Sequence, residues 1–204
     1  MRGTRRALKR MMDATAAAVL LLLTAPLILV LALLIKLQDG GPAFYRRRVV
    51  GLRGEFDAFK LRTMRVDADD VLGRNPSLRT QFEINFKLKD DPRVTRLGAY
   101  LRRTSLDELP QLWNVLRGQM SLVGPRMISP AELSKYADAA WIFRSVWPSL
   151  TGYWQVAGPR GSGRAHYQRR VAMDLFYAKN WSLGLDFKIL LKTPPRIVRG
   201  VEGP

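Results

Sequence analysis

The longest apolar stretch of the chain lies close to its N-terminus. It runs from Ala14 to Ile35 and is interrupted mildly, by Thr15, Thr24 and Pro26. Because about 20 apolar residues suffice to cross the hydrocarbon core of a bilayer, this stretch predicts a membrane helix. Pro26 lies near its middle and removes one helical hydrogen bond, so we expect the helix to bend there.

Basic clusters flank the apolar stretch on both sides. Lysine and arginine favour the cytoplasmic side of a membrane. A straight span would leave one cluster outside, whereas a helix that bends at Pro26 and leaves on the face it entered keeps both inside. The flanks alone also fit a kinked ordinary span. A signal peptide is disfavoured, because the run is long and lacks a small-x-small cleavage site. The clusters are Arg5, Arg6, Lys9 and Arg10 before the stretch, and Lys36, Arg46, Arg47 and Arg48 after it.

We therefore divide the chain into a basic N-terminus with the predicted membrane helix, residues 1–38, and a second domain, residues 39–204. The pattern beyond the helix predicts an α+β fold, mostly helical with short strands. Phe44–Val50 has strand-like pairs at its ends, Gly51–Gly54 is typical of a turn, and Phe56–Met64 predicts a second strand or a short helix. Residues 67–92 are polar, and we expect them to be irregular.

The second half of the chain predicts helices joined by one long loop. Pro130–Trp147 and Tyr167–Asn180 have helical character, and Pro148–Arg164 is rich in glycine and proline, which predicts a loop. Its run Gly158–Gly163 lacks the Gly-x-Gly-x-x-Gly order of a dinucleotide fingerprint, so we reject that motif. The acids Asp67, Asp69 and Asp70 are more typical of a solvated helix start or loop than of a metal site.

The C-terminal stretch Trp181–Val198 mixes apolar and basic residues and is broken, by prediction, at Pro194-Pro195. Such a mixture is typical of an interfacial helix on an anionic membrane. It is equally typical of an amphipathic helix that packs on a soluble core, and both interpretations stay open.

The amino-acid composition limits the partners, catalytic groups and metal ions that the protein can use. The 34 basic and 17 acidic residues give a formal charge of +17, which indicates an anionic partner: nucleic acid, acidic lipids or phosphorylated substrates. The chain has no cysteine, which excludes thiolate catalysis, disulfides and cysteine metal sites. His166 is the single histidine, so carboxylates must carry any metal, and this favours Mg²⁺ over Zn²⁺.

The adjacent carboxylates Asp107 and Glu108 lie among arginines, and a Gly-Pro-Arg turn closes the stretch. Carboxylates in a basic pocket are kept ionised. An ionised aspartate can act as a nucleophile, and nearby arginines can bind phosphate oxygens. The stretch therefore has the groups that phosphoryl transfer by an aspartate requires. The arginines are Arg102 and Arg103 before the pair, and Arg117 and Arg126 after it.

The spacing Ser105-x-x-Glu108 predicts a capping box that opens a helix. Asp107 would then lie in the first turn, where the helix dipole favours anions. Glu108 is offset by one residue, so it points elsewhere and has a different role. Spacing alone favours a structural interpretation of Asp107, and leaves Glu108 undecided between capping and catalysis.

Five ordered blocks cover nearly the whole chain and resemble the bacterial sugar transferase family, the monotopic polyprenyl-phosphate phosphoglycosyl transferases. The longest is Asp91–Arg126, DPRVTRLGAYLRRTSLDELPQLWNVLRGQMSLVGPR. The others are GPAFYRRRVVG (Gly41–Gly51), FKLRTM (Phe59–Met64), LTGYWQVAG (Leu150–Gly158) and MDLFYAKNWSLGLDFKILLKT (Met173–Thr193).

The resemblance implies transfer of a phosphosugar from a UDP-sugar to undecaprenyl phosphate with release of UMP. It makes Asp107 the nucleophile, which forms a covalent phosphosugar intermediate, and gives Glu108 a role in catalysis. Mg²⁺ is the implied cofactor, held by Asp107 and Glu108. The implied substrate-binding residues are Lys60, Arg62, Arg102, Pro125, Arg126, Arg160 and Asp174.

The resemblance also implies a location and partners. It favours the re-entrant form of the membrane helix in residues 1–38, and it makes residues 39–204 a cytoplasmic catalytic domain with interfacial helices. This domain would lie on the cytoplasmic face of the bacterial inner membrane, in contact with anionic lipids. No nucleic acid is implied, and a homodimer stays open. The product would serve the first membrane step of exopolysaccharide, capsule, O-antigen or glycoprotein glycan assembly, which includes lipopolysaccharide biosynthesis.

Three departures from the family pattern bear on donor specificity. Met127 follows Gly-Pro-Arg where the family usually has proline, Trp147-Pro148-Ser149 stands where Arg-Pro-Gly is common, and Pro159 precedes Arg160 in a longer loop. A rival hypothesis from another class is a membrane-tethered basic protein that binds anions without catalysis. Against it, the basic residues are spread among structured blocks and no nucleic-acid motif is present.

Overall fold

A computed structural model describes residues 3–85, 88, 90–158 and 164–198 of the chain. The fold is α+β and mostly helical, with short strands and a long apolar N-terminal helix, which confirms the predicted fold class. This helix, α1, runs from Gly3 to Asp39 and includes Pro26. Among the described residues, α1 is the one helix that is long and apolar enough to cross a membrane.

One face of α1 packs on the rest of the protein along its whole length. Ala17 joins the main core, while Ile28, Leu31 and Ile35 pack on a second cluster. The two ends of α1 also make polar contacts with the same body: Lys9 Nζ donates to Asp186 Oδ2 at 2.6 Å, and Asp39 Oδ2 accepts from Arg62 at 2.6 Å. Apolar side chains on the other faces stay exposed, among them Leu22, Leu23, Leu29, Val30, Leu33 and Leu37.

An antiparallel hairpin follows α1. Its strands are β1 (Phe44–Gly51) and β2 (Gly54–Leu61), joined by the predicted turn, and Phe56 onwards forms a strand rather than a helix. Tyr45 lies opposite Lys60, and Arg47 lies opposite Ala58. Since side chains alternate between the two faces of a strand, these four share one face of the hairpin.

The polar region after the hairpin is helical, and the prediction of irregular structure was wrong. It contains α2 (Ala68–Gly73) and α3 (Pro76–Asn85). These helices are largely exposed, so they carry little of the apolar periodicity by which a helix is recognised in a sequence. The acids at positions 69 and 70 lie in the first turn of α2, which agrees with the predicted helix start.

The capping box predicted at Ser105 was wrong. The helix α4 (Arg96–Thr104) extends up to this residue, and Ser105 is its left-handed C-cap, with φ of 57° and no side-chain capping bond. A 3₁₀ turn over Leu106–Glu108 and the helix α5 (Gln111–Leu116) follow. The residue therefore ends one helix instead of beginning the next. A capping box does occur at Ser129 and Glu132, at the start of α6.

The predicted helix Pro130–Trp147 is divided. It consists of α6 (Pro130–Leu133), a 3₁₀ segment (Ser134–Ala139) and α7 (Ala140–Phe143), because Ala137 has a positive φ of 43°. Two short parallel strands, β3 (Ser121–Val123) and β4 (Ser149–Thr151), flank this region.

Three helices complete the chain. The helix α8 (Tyr153–Ala157) lies within the predicted loop, and α9 (Arg164–Lys179) matches its prediction. The last helix, α10 (Leu183–Val198), continues through Pro194-Pro195, so the predicted break was wrong. The two prolines deprive the carbonyls of Leu190 and Leu191 of partners, but both residues are exposed and water can satisfy them.

The core lies between the hairpin, α1, α5, β3 and α10. Its buried members include Val49, Leu112, Val115, Met120 and Ile189. Asn114 of α5 is buried and binds β2 with both ends of its amide: Oδ1 accepts from Phe59 N at 3.0 Å, and Nδ2 donates to Asp57 O at 2.8 Å. These bonds fix α5, and the acid pair before it, against the hairpin.

Candidate active site

The acid pair meets the hairpin at Lys60. The ammonium of Lys60 donates to Glu108 Oε1 at 2.7 Å and to Asp107 Oδ2 at 3.4 Å. Lys60 belongs to β2, and the acids belong to the 3₁₀ turn before α5. The structure thus brings together three residues that the sequence singled out in two separate blocks.

Asp107 is buried, with 5% of its surface exposed, and it differs from Glu108 in its surroundings. Burial raises the pKa of Asp107, and the charge of Glu108 acts in the same direction, while Lys60 and Arg102 oppose this rise. Burial of Asp107 therefore opposes the ionisation that the basic pocket is predicted to favour. Its Oδ1 atom has no hydrogen-bond partner among the described residues, so this oxygen can meet a substrate.

Glu108 has the opposite behaviour. Burial alone would raise its pKa, but the charges of Lys60 and Arg126 outweigh this effect and hold the pKa of Glu108 below its ordinary value. Arg126 Nη2 lies 4.0 Å from Glu108 Oε1. The two adjacent acids therefore differ in their pKa values. Lys60 and Arg126 lower the pKa of Glu108, whereas burial raises the pKa of Asp107.

Two of the predicted substrate-binding arginines already have partners in the fold. Arg62 donates to both carboxylate oxygens of Asp39 and to Pro42 O, so its guanidinium ties β2 to the end of α1. Arg102 Nε donates to Thr63 Oγ1 at 2.8 Å, and its charge acts on Asp107. Arg102 is therefore the better placed of the two for substrate.

Arg126 stands in the loop after β3, and Asp174 supports that loop from behind. The backbone N–H of Arg126 donates to Asp174 Oδ1 at 3.4 Å, and Tyr136 Oη donates to Asp174 Oδ2 at 2.9 Å. Burial raises the pKa of Asp174 to about 6, against the charge of Arg170 and the bond from Tyr136. Asp174 and Pro125 do not line the cavity described below, within the described ranges. The predicted residue Arg160 lies outside the described residues.

A cavity of about 1810 Å³ contains the acid pair. Lys60, Arg102 and Arg126 line it beside Asp107 and Glu108. Residues of α1 and of α10 also contribute to its wall, namely Leu20, Thr24, Leu190, Thr193 and Arg196. One cavity, open on one side, therefore joins the charged groups to the apolar helix predicted for the membrane.

Sequence reasoning missed a second charged cluster on the wall of this cavity. Arg47 Nη2 donates to Glu132 Oε1 at 2.6 Å, and Arg170 and Tyr167 contact the other oxygen of Glu132. Arg47 was visible in the block Gly41–Gly51, but as one of three consecutive arginines it carried no separate signal. Its ion pair with Glu132 distinguishes it from Arg46 and Arg48, and this pair forms only in the folded chain.

The two acids suit a Mg²⁺ site in which the protein supplies only one or two of the ligands. In the part of the chain that the structure describes, no three His, Asp or Glu residues group as a metal site. Mg²⁺ in phosphoryl-transfer sites commonly uses one or two carboxylates and takes its remaining ligands from substrate phosphates and water. Asp107 and Glu108, adjacent and on the cavity wall, match that donor set, with Lys60 at present as their shared counter-ion.

Comparison with known proteins gives consistent results. Residues 4–200 match the family described as bacterial sugar transferase. The chain is 45% identical to the exopolysaccharide production protein ExoY of Rhizobium meliloti over 194 residues, which cover 93% of this chain and 84% of the relative. It is 43% identical to the UDP-glucose:undecaprenyl-phosphate glucose-1-phosphate transferase of Caulobacter vibrioides, over 93% of this chain and 69% of that one.

The undecaprenyl-phosphate galactose phosphotransferase of Salmonella typhimurium is 42% identical over 95% of this chain. The chain spans 41% of the length of that relative, so it corresponds to a part of some family members and to most of others. A match over nearly the whole chain confirms the predicted family and, with it, the prediction that the protein is an enzyme. This chain belongs to the bacterial sugar transferase family.

Proposed function

We propose that this protein transfers a phosphosugar from a UDP-sugar to undecaprenyl phosphate, releases UMP and leaves undecaprenyl diphosphate sugar. The observation that carries the proposal is the acid pair, held on a cavity wall among Lys60, Arg102 and Arg126. The names of relatives that act on undecaprenyl phosphate with galactose or glucose support both substrate classes. The name of ExoY supports a role in exopolysaccharide production.

In the first half-reaction, Asp107 Oδ1 attacks the phosphorus that bears the sugar. A bond forms between this oxygen and phosphorus, the bond from phosphorus to the bridging oxygen breaks, and UMP leaves with the electron pair. Lys60, Arg102 and Arg126 offset the repulsion between a carboxylate and a diphosphate. Asp107 and Glu108 would hold Mg²⁺, which supplies further neutralisation of the diphosphate when bound.

In the second half-reaction, an oxygen of undecaprenyl phosphate attacks the same phosphorus. The acyl phosphate bond breaks, and the carboxylate of Asp107 is regenerated.

The acceptor is a lipid, so the cavity must open at a membrane surface. A straight helix of 37 residues is about 55 Å long, and a crossing α1 would put its two ends on opposite faces of the bilayer. Both ends instead contact the same body, through Asp186 and Arg62. This favours a helix that enters and leaves on one face, the cytoplasmic one by its basic flanks.

The last helix supports the same orientation. Ile189 of α10 is in the core, while Phe187 and Leu191 are 62% and 63% exposed, near the exposed Lys188 and Lys192. An apolar face flanked by lysines suits a surface of anionic lipids.

The test of the chemistry is a donor half-reaction without lipid. Wild-type protein, given Mg²⁺ and a panel of UDP-sugars, should release at most one UMP per molecule and retain phosphosugar, detected by intact mass. Asp107→Asn keeps the shape and removes the charge, so both signals should disappear while the thermal midpoint stays close to that of wild type. Asp70→Asn, on the exposed surface of α2, is the matched control and should behave as wild type.

Two results would reject the proposal in different ways. Transfer at near wild-type rate by Asp107→Asn would favour direct attack of the lipid phosphate on the UDP-sugar. Absence of UMP release from every donor, with and without lipid, would favour the rival hypothesis of a basic anion-binding protein.

A further inference from the structure

We propose that Arg47 binds a phosphate group of one of the two substrates, and that Glu132 positions its guanidinium on the cavity wall. The inference rests on the proposed function, because it concerns the substrates of the same cavity. It assigns a role to a residue outside the acid pair and the cations around it.

The hairpin directs Arg47 towards the acid pair. Arg47 and Lys60 lie on the same face, on neighbouring strands and two positions apart in register, a diagonal that places side chains about 7–8 Å apart. Both line the cavity, and the charge of Arg47 lowers the pKa of Glu108. Arg47 is thus close enough to act on groups that reach the acid pair.

Glu132 can release Arg47 without becoming an unpaired buried charge. Its carboxylate also accepts from Ser129 N at 3.1 Å and from Tyr167 Oη at 3.2 Å, and Arg170 lies 3.6 Å away. Arg170 has two guanidinium nitrogens, Nε and Nη2, without hydrogen-bond partners among the described residues. If Arg47 leaves, Arg170 remains as a counter-charge to Glu132, although it is shared with Asp174, whose Oδ2 lies 3.7 Å from Arg170 Nε.

The two arginines that contact Glu132 differ in how far their side chains are exposed to solvent. The side chain of Arg47 is 30% exposed and that of Arg170 is 12% exposed. Arg47 therefore has room to turn into the cavity, whereas Arg170 is enclosed. A guanidinium binds phosphate oxygens in a bidentate manner, so Arg47 suits this ligand better than a lysine would.

The charge of the substrates requires such a residue. The donor brings a diphosphate and the acceptor brings a phosphate monoester, while Lys60 is already shared by both acids and Arg102 is bound to Thr63. When UMP leaves, the anhydride bond of its phosphate breaks, so this phosphate becomes a monoester and gains negative charge. A further cation near Lys60 would offset this charge.

The test compares Arg47→Ala and Arg47→Lys with Arg46→Ala. Arg46 is the preceding residue of the same strand, but it faces the opposite side, where its guanidinium lies over the ring of Phe59, and it does not line the cavity within the described residues. One arm measures UMP release without lipid as a function of UDP-sugar concentration. The other measures the KM for undecaprenyl phosphate at saturating donor.

Arg47→Ala should lose roughly 10- to 100-fold in one arm, either in the single-turnover rate of UMP release at low UDP-sugar or in kcat/KM for the lipid, since a charge-assisted hydrogen bond contributes about 1.5–3 kcal/mol. A loss in the UMP-release arm assigns the donor phosphate, and a loss confined to the lipid arm assigns the acceptor phosphate. Arg47→Lys should recover part of the loss, because it restores a point charge. Arg46→Ala should stay within about twofold of wild type.

The inference is overturned if Arg47→Ala and Arg46→Ala have the same single-turnover rate of UMP release and the same kcat/KM for the lipid. It is also overturned if Arg47→Ala loses activity together with a lowered thermal midpoint and Arg47→Lys restores neither, since the role would then be structural. A wild-type protein that releases no UMP contradicts the proposed function itself, whereas an active wild type with a normal Arg47→Ala contradicts this inference alone.

Discussion

The adjacent carboxylates of Asp107 and Glu108 have pKa values that are shifted in opposite directions by their surroundings. Asp107 has one oxygen without a partner among the residues the structure describes, and its pKa is raised because it is buried. Glu108 has a lowered pKa because Lys60 and Arg126 lie beside it. A nucleophile benefits from an oxygen that is not already bonded, and a metal or phosphate partner benefits from a permanent charge. The division of roles proposed for the pair follows from these two environments.

Asp174 allows a prediction about stability and pH. Its pKa is raised from an ordinary value of 3.8 to about 6, because its carboxylate is buried. Between these two values the folded state binds more protons than the unfolded state, so the free energy of unfolding falls as pH rises from about 4 to about 6.5. Two pKa units correspond to a loss on the order of 3 kcal/mol.

Asp174→Asn cannot titrate, so this pH-dependent part should vanish from its urea unfolding curves in detergent. The difference between wild type and variant should therefore change across pH 4 to 6.5, in the direction of a weakening wild type. Asp138→Asn, at an exposed position, should keep the wild-type dependence. Parallel stability profiles for wild type and Asp174→Asn would show that Asp174 is not buried as a costly charge.

At the scale of elements, α1 is apolar both on the face that packs on the protein and on the faces that remain exposed. Its buried face bears Ala17, Ile28, Leu31 and Ile35, and its other faces expose apolar side chains. Exposed leucines in such number are unfavourable in water, so the helix needs a second apolar environment in addition to the core. The contacts at its two ends support the proposal that this environment lies on one side of the protein.

We predict that both ends of α1 face the cytoplasm. The chain has no cysteine, so Thr4→Cys and Gln38→Cys each introduce a single label at an exposed position. A membrane-impermeant maleimide should label neither variant in intact spheroplasts and both after lysis. Ser77→Cys, on the exposed face of α3, is the control for the cytoplasmic side. Labelling of Thr4→Cys in intact spheroplasts would rule out the re-entrant arrangement.

At the scale of the whole molecule, the basic residues behind the charge of +17 are grouped at particular places as well as spread over the surface. Cations line the cavity that contains the acid pair, and others flank α1 and α10. Such a distribution suits a protein whose two substrates are phosphorylated and whose surface meets anionic lipids.

We predict that removal of Mg²⁺ stops the chemistry and leaves the fold intact. Lys60 already serves as the counter-ion of Asp107 and Glu108, so the acids need no metal for stability. EDTA should abolish UMP release, added Mg²⁺ should restore it, and the thermal midpoint without substrate should change little. UMP release that persists in excess EDTA would show that cationic side chains suffice for catalysis.

The sequence predicted some elements well because their signals are local. The hairpin turn at Gly51–Gly54 and the helix α9 depend on nearby residues, and their predictions were confirmed. The exposed helices α2 and α3 and the continuous α10 were missed, because exposure removes apolar periodicity and lets water satisfy carbonyls opposite proline. Ser105 was misread because a capping motif does not reveal whether the preceding helix already occupies the residue.

By itself, the sequence determined the family, the α+β class, the long apolar helix and the acid pair with its basic surroundings, because each depends on residue type and order along the chain. Tertiary structure alone decided that Lys60 is shared by both acids, that Asp107 is buried and Glu108 is paired, that Arg62 is bound to Asp39, and that Arg47 reaches the cavity. These properties depend on burial and on distances between residues far apart in the chain. A pKa and an ion pair are set by such distances, which a linear pattern does not contain.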